Sequence, residues 1–167
     1  PGAEIWRRMS EPVDNKLDLL QQHWLALKGE SPLPLSSDIR PENFFYLLGR
    51  VSIIDVRNGD YILRLVGSGI EELYGMRMQG RLLNDLPVVK MSEDARDQLN
   101  EAASSRRPTR TQTQISHGTS VAYYHRLVLP FADKDGPSDK AAVLLTALDW
   151  LPDDEYLLSR YATGNAT

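Results

Sequence analysis

Arg64 is the residue of this chain whose neighbours most clearly call for chemistry. Strand alternation puts Ile62, Arg64 and Val66 on one face, with Tyr61, Leu63 and Leu65 on the other. A guanidinium in an apolar row must meet a carboxylate or reach solvent, because an unpaired buried charge is very costly. Two readings follow: an internal ion pair with a nearby Asp or Glu or a snorkelling edge residue on the one hand, and a bidentate grip on an anionic group in a cavity on the other. His125 is the second such residue. Alternation aligns Tyr123, His125, Leu127 and Leu129 on one face and Tyr124, Arg126 and Val128 on the opposite one. An imidazole half-buried beside tyrosines would titrate near its reference value of ~6.5 and act as a pH-sensitive contact. A hydrogen-bonded structural histidine is the plainer alternative.

Other constellations lead away from catalysis. Gly67-Ser68-Gly69 lies where a dinucleotide loop would be sought, but the third glycine position is Glu72 and no βαβ unit surrounds it. The glycines are expected to permit a tight bend between a strand and a helix. Ser68 is flanked by Val66 and Ile70 where a nucleophile elbow needs glycines. The chain has no cysteine, which removes disulfides, thiolate nucleophiles, thiolate metal sites and cysteine-linked chromophores. Its three histidines, His23, His117 and His125, have no second ligand at metal spacing. No catalytic or metal-binding residue is therefore assigned, and a small enzyme is only a remote alternative. Asp153-Asp154 is expected to cap a terminal helix.

These residues are carried on 167 positions, 41% of them apolar and 25% charged, which suits one globular domain with a full core. A net charge of −4 leaves no footprint for nucleic acid. The basic cluster Arg106, Arg107 and Arg110 reads as a solvated helix end. No apolar run reaches ~18 residues and no signal-peptide pattern occurs, so neither a membrane span nor export is expected, and the setting is expected to be cytoplasmic and bacterial.

The elements that must position the candidates can be read locally. Residues 12–28 predict a helix opened by Pro12 and Asp14 and closed by Gly29. Val13, Leu17, Leu20, Trp24 and Leu27 form one continuous stripe, which must dock on its own domain or on a second copy. Leu19 and Leu25 lie off it. A loop leads to a short helix from Pro41 to Leu48. Asn58-Gly59 between two alternating runs predicts a hairpin of strands 51–57 and 60–66, since a type I′ turn needs positive φ at both central positions. Short helices follow at Gly69 to Tyr74, at Arg81 to Leu86, and from an N-cap at Ser92 to Ser105, the last mostly on the surface with an edge of Ala95, Leu99 and Ala102. Strands 109–116 and 120–130 flank a turn at His117-Gly118. The nearly continuous apolar run 140–149 suits a central strand buried on both faces. Asp153 to Tyr161 predicts a last short helix.

This order resembles a PAS domain preceded by N-terminal helices, in the form found as small, stand-alone bacterial proteins. The likeness spans residues 15–150 and rests on Trp24, Asp38, Pro41, Leu48 and Asp55, then Arg64-Leu65-Val66-Gly67-Ser68 leading to Gly75 and Gly80, and finally Arg126-Leu127-Val128-Leu129-Pro130. It implies an α+β fold: a five-stranded antiparallel sheet with short helices on one face, often enclosing a small cavity, and here an N-terminal amphipathic helix. The division implied is an N-terminal helix and linker over 1–36, the PAS-like domain over 37–151, and a short helix and tail over 152–167.

The resemblance also implies a non-enzymatic sensory or regulatory role through protein–protein interaction, with a protein partner or a second copy as a homodimer, tuned by a small ligand. The alternative is a small-molecule sensor for an anionic or aromatic metabolite, with Arg64, Tyr74, His125 and Arg126 near an enclosed pocket. Tyr74 would line such a cavity or plug the core. The stripe Val13, Leu17, Leu20, Trp24 and Leu27 would serve dimerisation or helix docking. No cofactor is expected: a cysteine-linked flavin or thioester chromophore is excluded, and no histidine stands where a haem ligand would.

Overall fold

In the computed structural model, the described residues are 13–87 and 90–164. The expected start signal Pro12 and the side chain of Val13 lie outside them. Helix α1 (Val13–Lys28) ends at Gly29, whose φ of 52° gives the left-handed turn a helix end requires. Two separate 3-10 turns, Pro41–Asn43 and Phe45–Leu47, replace the single short helix expected from Pro41 to Leu48. Phe44 breaks the run between them, with φ −140° and ψ 34°.

Strands β1 (Val51–Arg57) and β2 (Asp60–Val66) form the hairpin, with Asn58 at φ 46° and Gly59 at φ 80° in its turn. Then come α2 (Ser68–Tyr74), a 3-10 turn at Leu83–Asp85, and α3 (Lys90–Ser105). Strands β3 (Thr109–His117), β4 (Ser120–Phe131) and β5 (Val143–Asp149) follow, and α4 (Glu155–Ala162) closes the order. All five strands pair antiparallel in the order β2-β1-β5-β4-β3. Every residue of β5 is buried, as a strand covered on both faces must be.

The sheet separates two apolar clusters. On the inner face Ile54, Leu63, Leu144 and Leu148 meet Ile70 and Leu73 of α2, Leu99 and Ala102 of α3, and Leu158 and Ala162 of α4. On the outer face Val51, Leu127, Leu129 and Leu145 meet Leu17, Leu20 and Trp24 of α1 together with Leu33, Phe44 and Leu47. The terminal helix therefore shares the inner core.

Three local expectations need correction. Val66 does not share a face with Arg64: Ile53 pairs with Leu65 but Ile54 with Leu63, so Arg64 is the extra residue of a β-bulge. The bulge resets the alternation after Arg64, leaving Leu65 outward beside it and turning Val66 into the inner core. Ser92 is not an N-cap, because α3 already begins at Lys90; its hydroxyl donates back to the Pro87 carbonyl at 3.3 Å. The buried edge of α3 is also wider than expected, taking in Met91 and Gln98 with Leu99 and Ala102, although most of the helix stays at the surface.

Candidate functional site

The bend after β2 brings two stretches of backbone together. A Cβ on Gly67 would lie 2.5 Å from the carbonyl carbon and oxygen of Gly49, and one on Gly69 would lie 2.9 Å from that oxygen. Only glycine fits there, and the Ile70 amide then donates to the Gly49 carbonyl at 3.2 Å. The glycines thus serve the close approach, which lets α2 fold back under the sheet.

Between α2, α3 and the inner face lies a cavity of about 60 Å³. Its walls are largely apolar, including Ile54, Leu63, Ile70, Met78, Leu86 and Leu148, with polar groups from Ser52, Tyr74, Ser92, Arg126 and Thr146. Ser52 and Thr146 pair across β1 and β5, so the cavity opens beneath the middle of the sheet. Tyr74 and Arg126, two residues of the expected pocket, are brought together here. The Arg126 guanidinium hydrogen-bonds the Tyr74 hydroxyl, and burial pushes the Tyr74 phenol up to about 12. Arg126 is 4% exposed, donates through Nη2 to the Met91 carbonyl at 3.5 Å, and lies 5.5 Å from the centre of the Tyr124 ring. Among the described residues no carboxylate forms an ion pair with it. Asp94 accepts a bond from the Tyr124 hydroxyl at 3.3 Å instead.

Gln98 holds the strand that carries Arg126. Its side-chain amide donates to the carbonyls of Thr109 (3.1 Å) and Arg126 (3.0 Å), and its oxygen accepts from Thr111 at 3.0 Å. Sequence alone did not single out Gln98, because a polar residue on a polar-looking helix carries no signal of burial. Thr146 was within reach: alternation in β5 puts it on one face with Leu144 and Leu148.

The other two expected pocket residues lie elsewhere. Arg64 is on the outer face with a half-exposed side chain, forming a bidentate ion pair with Asp55. Its bond to Asp55 holds the guanidinium above its ordinary value. That is the internal ion pair of the first reading. His125 also faces outward, paired across the sheet with Asp149.

Asp149 anchors a second polar group, unforeseen from sequence. It is 2% exposed; Arg50 lies 3.5 Å away and Lys16 of α1 3.9 Å. The Arg50 guanidinium stacks 3.4 Å from the centre of the Trp150 ring, whose indole donates to Glu155 of α4 at 3.3 Å. Burial raises the Asp149 carboxyl above the usual range despite the cations around it. Helix α1 is held at its other end by the Trp24 indole, which donates to the Pro130 carbonyl at 2.8 Å. Leu17 and Leu20 are fully covered, Leu27 is half-buried and Leu25 is exposed. Asp154 caps no helix with its side chain; it accepts from the Tyr123 amide at 3.3 Å. Among the described residues no three His, Asp or Glu side chains are grouped to hold a metal ion, and no helix is long and apolar enough to cross a membrane.

No curated protein matches the chain. Solved structures to which the chain is similar include the blue-light photoreceptor Aureochrome1 LOV domain, 15% identical over 66% of this chain and 88% of that one, with a TM-score of 0.43. The PAS domain of a protein from Colwellia psychrerythraea is 16% identical over 62% of this chain and 86% of that one, TM-score 0.42. The PAS domain of Bordetella pertussis BvgS is 12% identical over 66% and 81%, TM-score 0.40. A family model described as a PAS domain matches residues 14–146, a span that takes in α1, all of β1 to β4 and most of β5, and the chain therefore belongs to the PAS domain family.

Proposed function

We propose that this PAS domain is a non-enzymatic, cytoplasmic regulatory module that acts through a protein partner or a second copy of itself, with α1 as the element whose docking is read. One observation carries the reading. Strands β4 and β5 line the cavity with one face and hold α1 with the other, at Pro130 beside Trp24 and at Asp149 beside Lys16. Neighbours in β4 alternate between the two: Arg126 faces the cavity, while His125 and Leu127 face outward. A change in what fills the cavity can therefore alter strand packing under α1 and shift the balance between docked and released helix. Fold alone does not assign such a role, and the support is this shared pair of strands.

The test fills the cavity without touching α1. Thr146→Leu adds apolar volume from β5, and amide hydrogen exchange across residues 13–28 is compared with wild type, with oligomeric state followed by native mass spectrometry. Altered exchange in α1 or a changed oligomer supports the reading. Identical protection and the same mass in a folded variant remove it. A second reading, a small-molecule sensor, is favoured by Arg126 and Tyr74 converging on the cavity.

A further inference from the structure

We infer that the cavity binds a small monocarboxylate of two or three carbons, its carboxylate on the Arg126 guanidinium and its alkyl end among Leu63, Ile70 and Leu86. This deepens the sensor reading and rests on it. Arg126 is buried yet forms no ion pair with a carboxylate among the described residues. Its partners are neutral: the Tyr74 hydroxyl, the Met91 carbonyl and the Tyr124 ring. A guanidinium carries five N–H donors in a planar fork, and its buried positive charge calls for an anion that accepts two of them.

Size and polarity narrow the anion. The space is about 60 Å³. An engineered apolar cavity of about 150 Å³ holds benzene, so this one takes only a few heavy atoms, with Met78 able to yield at the wall. Inorganic phosphate would bring polar oxygens on every side against walls that are mainly Ile, Leu and Met. A short carboxylate divides as the cavity does, with its charge at Arg126 and Tyr74 and its chain at the leucines. Ser52 and Thr146 pair on the same roof and supply hydroxyls for the remaining lone pairs.

The full chain is tested by thermal denaturation and isothermal titration calorimetry with sodium acetate and sodium propionate, against sodium chloride and sodium phosphate of equal ionic strength. The expected result is a saturable rise in melting temperature with at least one carboxylate, about 5–10 °C at a hundredfold excess over Kd, and none with chloride or phosphate. Arg126→Met keeps the stem without the charge and should abolish the rise; Thr146→Leu, which leaves Arg126 intact, should abolish it by filling the space. Absence of any carboxylate effect on wild type overturns the proposal, as does an equal response to phosphate or an undiminished response in both variants. Exchange in α1 that changes in Thr146→Leu while no carboxylate binds would leave the regulatory reading standing and this ligand class refuted. Carboxylate binding with α1 unaffected would do the reverse.

Discussion

Where α1 docks, the outer face of the sheet is closely covered, and the inner face opposite it is not. On the outer side Leu17, Leu20 and Trp24 drop between Leu127, Leu129 and Leu145, and the one polar atom of Trp24 finds the Pro130 carbonyl. On the inner side α2 and α3 cover the same strands but leave a void floored by Met78 and Leu86 and edged by a buried arginine. The outer cover is one long helix with a continuous stripe. Its counterpart inside is divided among α2, a 3-10 turn, α3 and α4, joined by bends, and the cavity lies where these pieces meet.

This contrast can be broken or sharpened by experiment. Trp24→Ala should have the largest effect, about 3–5 kcal/mol, because it removes a buried ring and leaves the Pro130 carbonyl unpartnered. An unchanged denaturation midpoint would mean that the outer face is not closed by α1. Gly67→Ala should cost about 1–3 kcal/mol, since its methyl meets the Gly49 backbone, which cannot yield as a side chain would. A variant as stable as wild type would show that the bend is not tight.

Two buried acids offer a pH comparison between the faces. Tyr74, raised to about 12 inside, contributes stability that is complete below the unfolded value of about 10 and is lost as pH rises through 12. Alkaline denaturation should thus be shifted to higher pH by Tyr74→Phe, and coincident curves would count against its burial. Asp149 on the outer side is also raised, so its proton, not its charge, is favoured by folding. The stability it contributes is present below the unfolded value near 4 and lost as pH rises through its own, higher value. The melting temperature of wild type relative to Asp149→Asn should therefore climb as pH falls from 7 toward 4. A relative decline would show that Lys16 and Arg50 outweigh burial. Smallest is Arg64→Ala, within about 1 kcal/mol of wild type in urea denaturation, because its pair with Asp55 is largely open to solvent. A larger loss would restore a special role for the bulge.

Much of this architecture is legible without coordinates, for local reasons. Asn58-Gly59 demands positive φ, Gly29 stops a helix, and the apolar run ending at Asp149 has no polar face to offer water. Alternation alone put Arg126 opposite His125, and the structure keeps that division. It failed just past Arg64, at Leu65 and Val66, because period-2 counting has no means of detecting an inserted residue; the bulge arises only when β1 pairs with β2. The candidate site was therefore half visible. Tyr74 and Arg126 meet, while Arg64 and His125 belong to the other side.

Local stereochemistry and hydrophobic period, both properties of neighbouring residues, determined the hairpin, the helices and the central strand. Register, the closeness of Gly67 to Gly49, the burial of Gln98 and Asp149, and the void beside Arg126 were decided only in three dimensions. Each of these depends on which distant backbone a side chain meets, and a guanidinium does not reveal from its own neighbours whether a carboxylate will be folded against it.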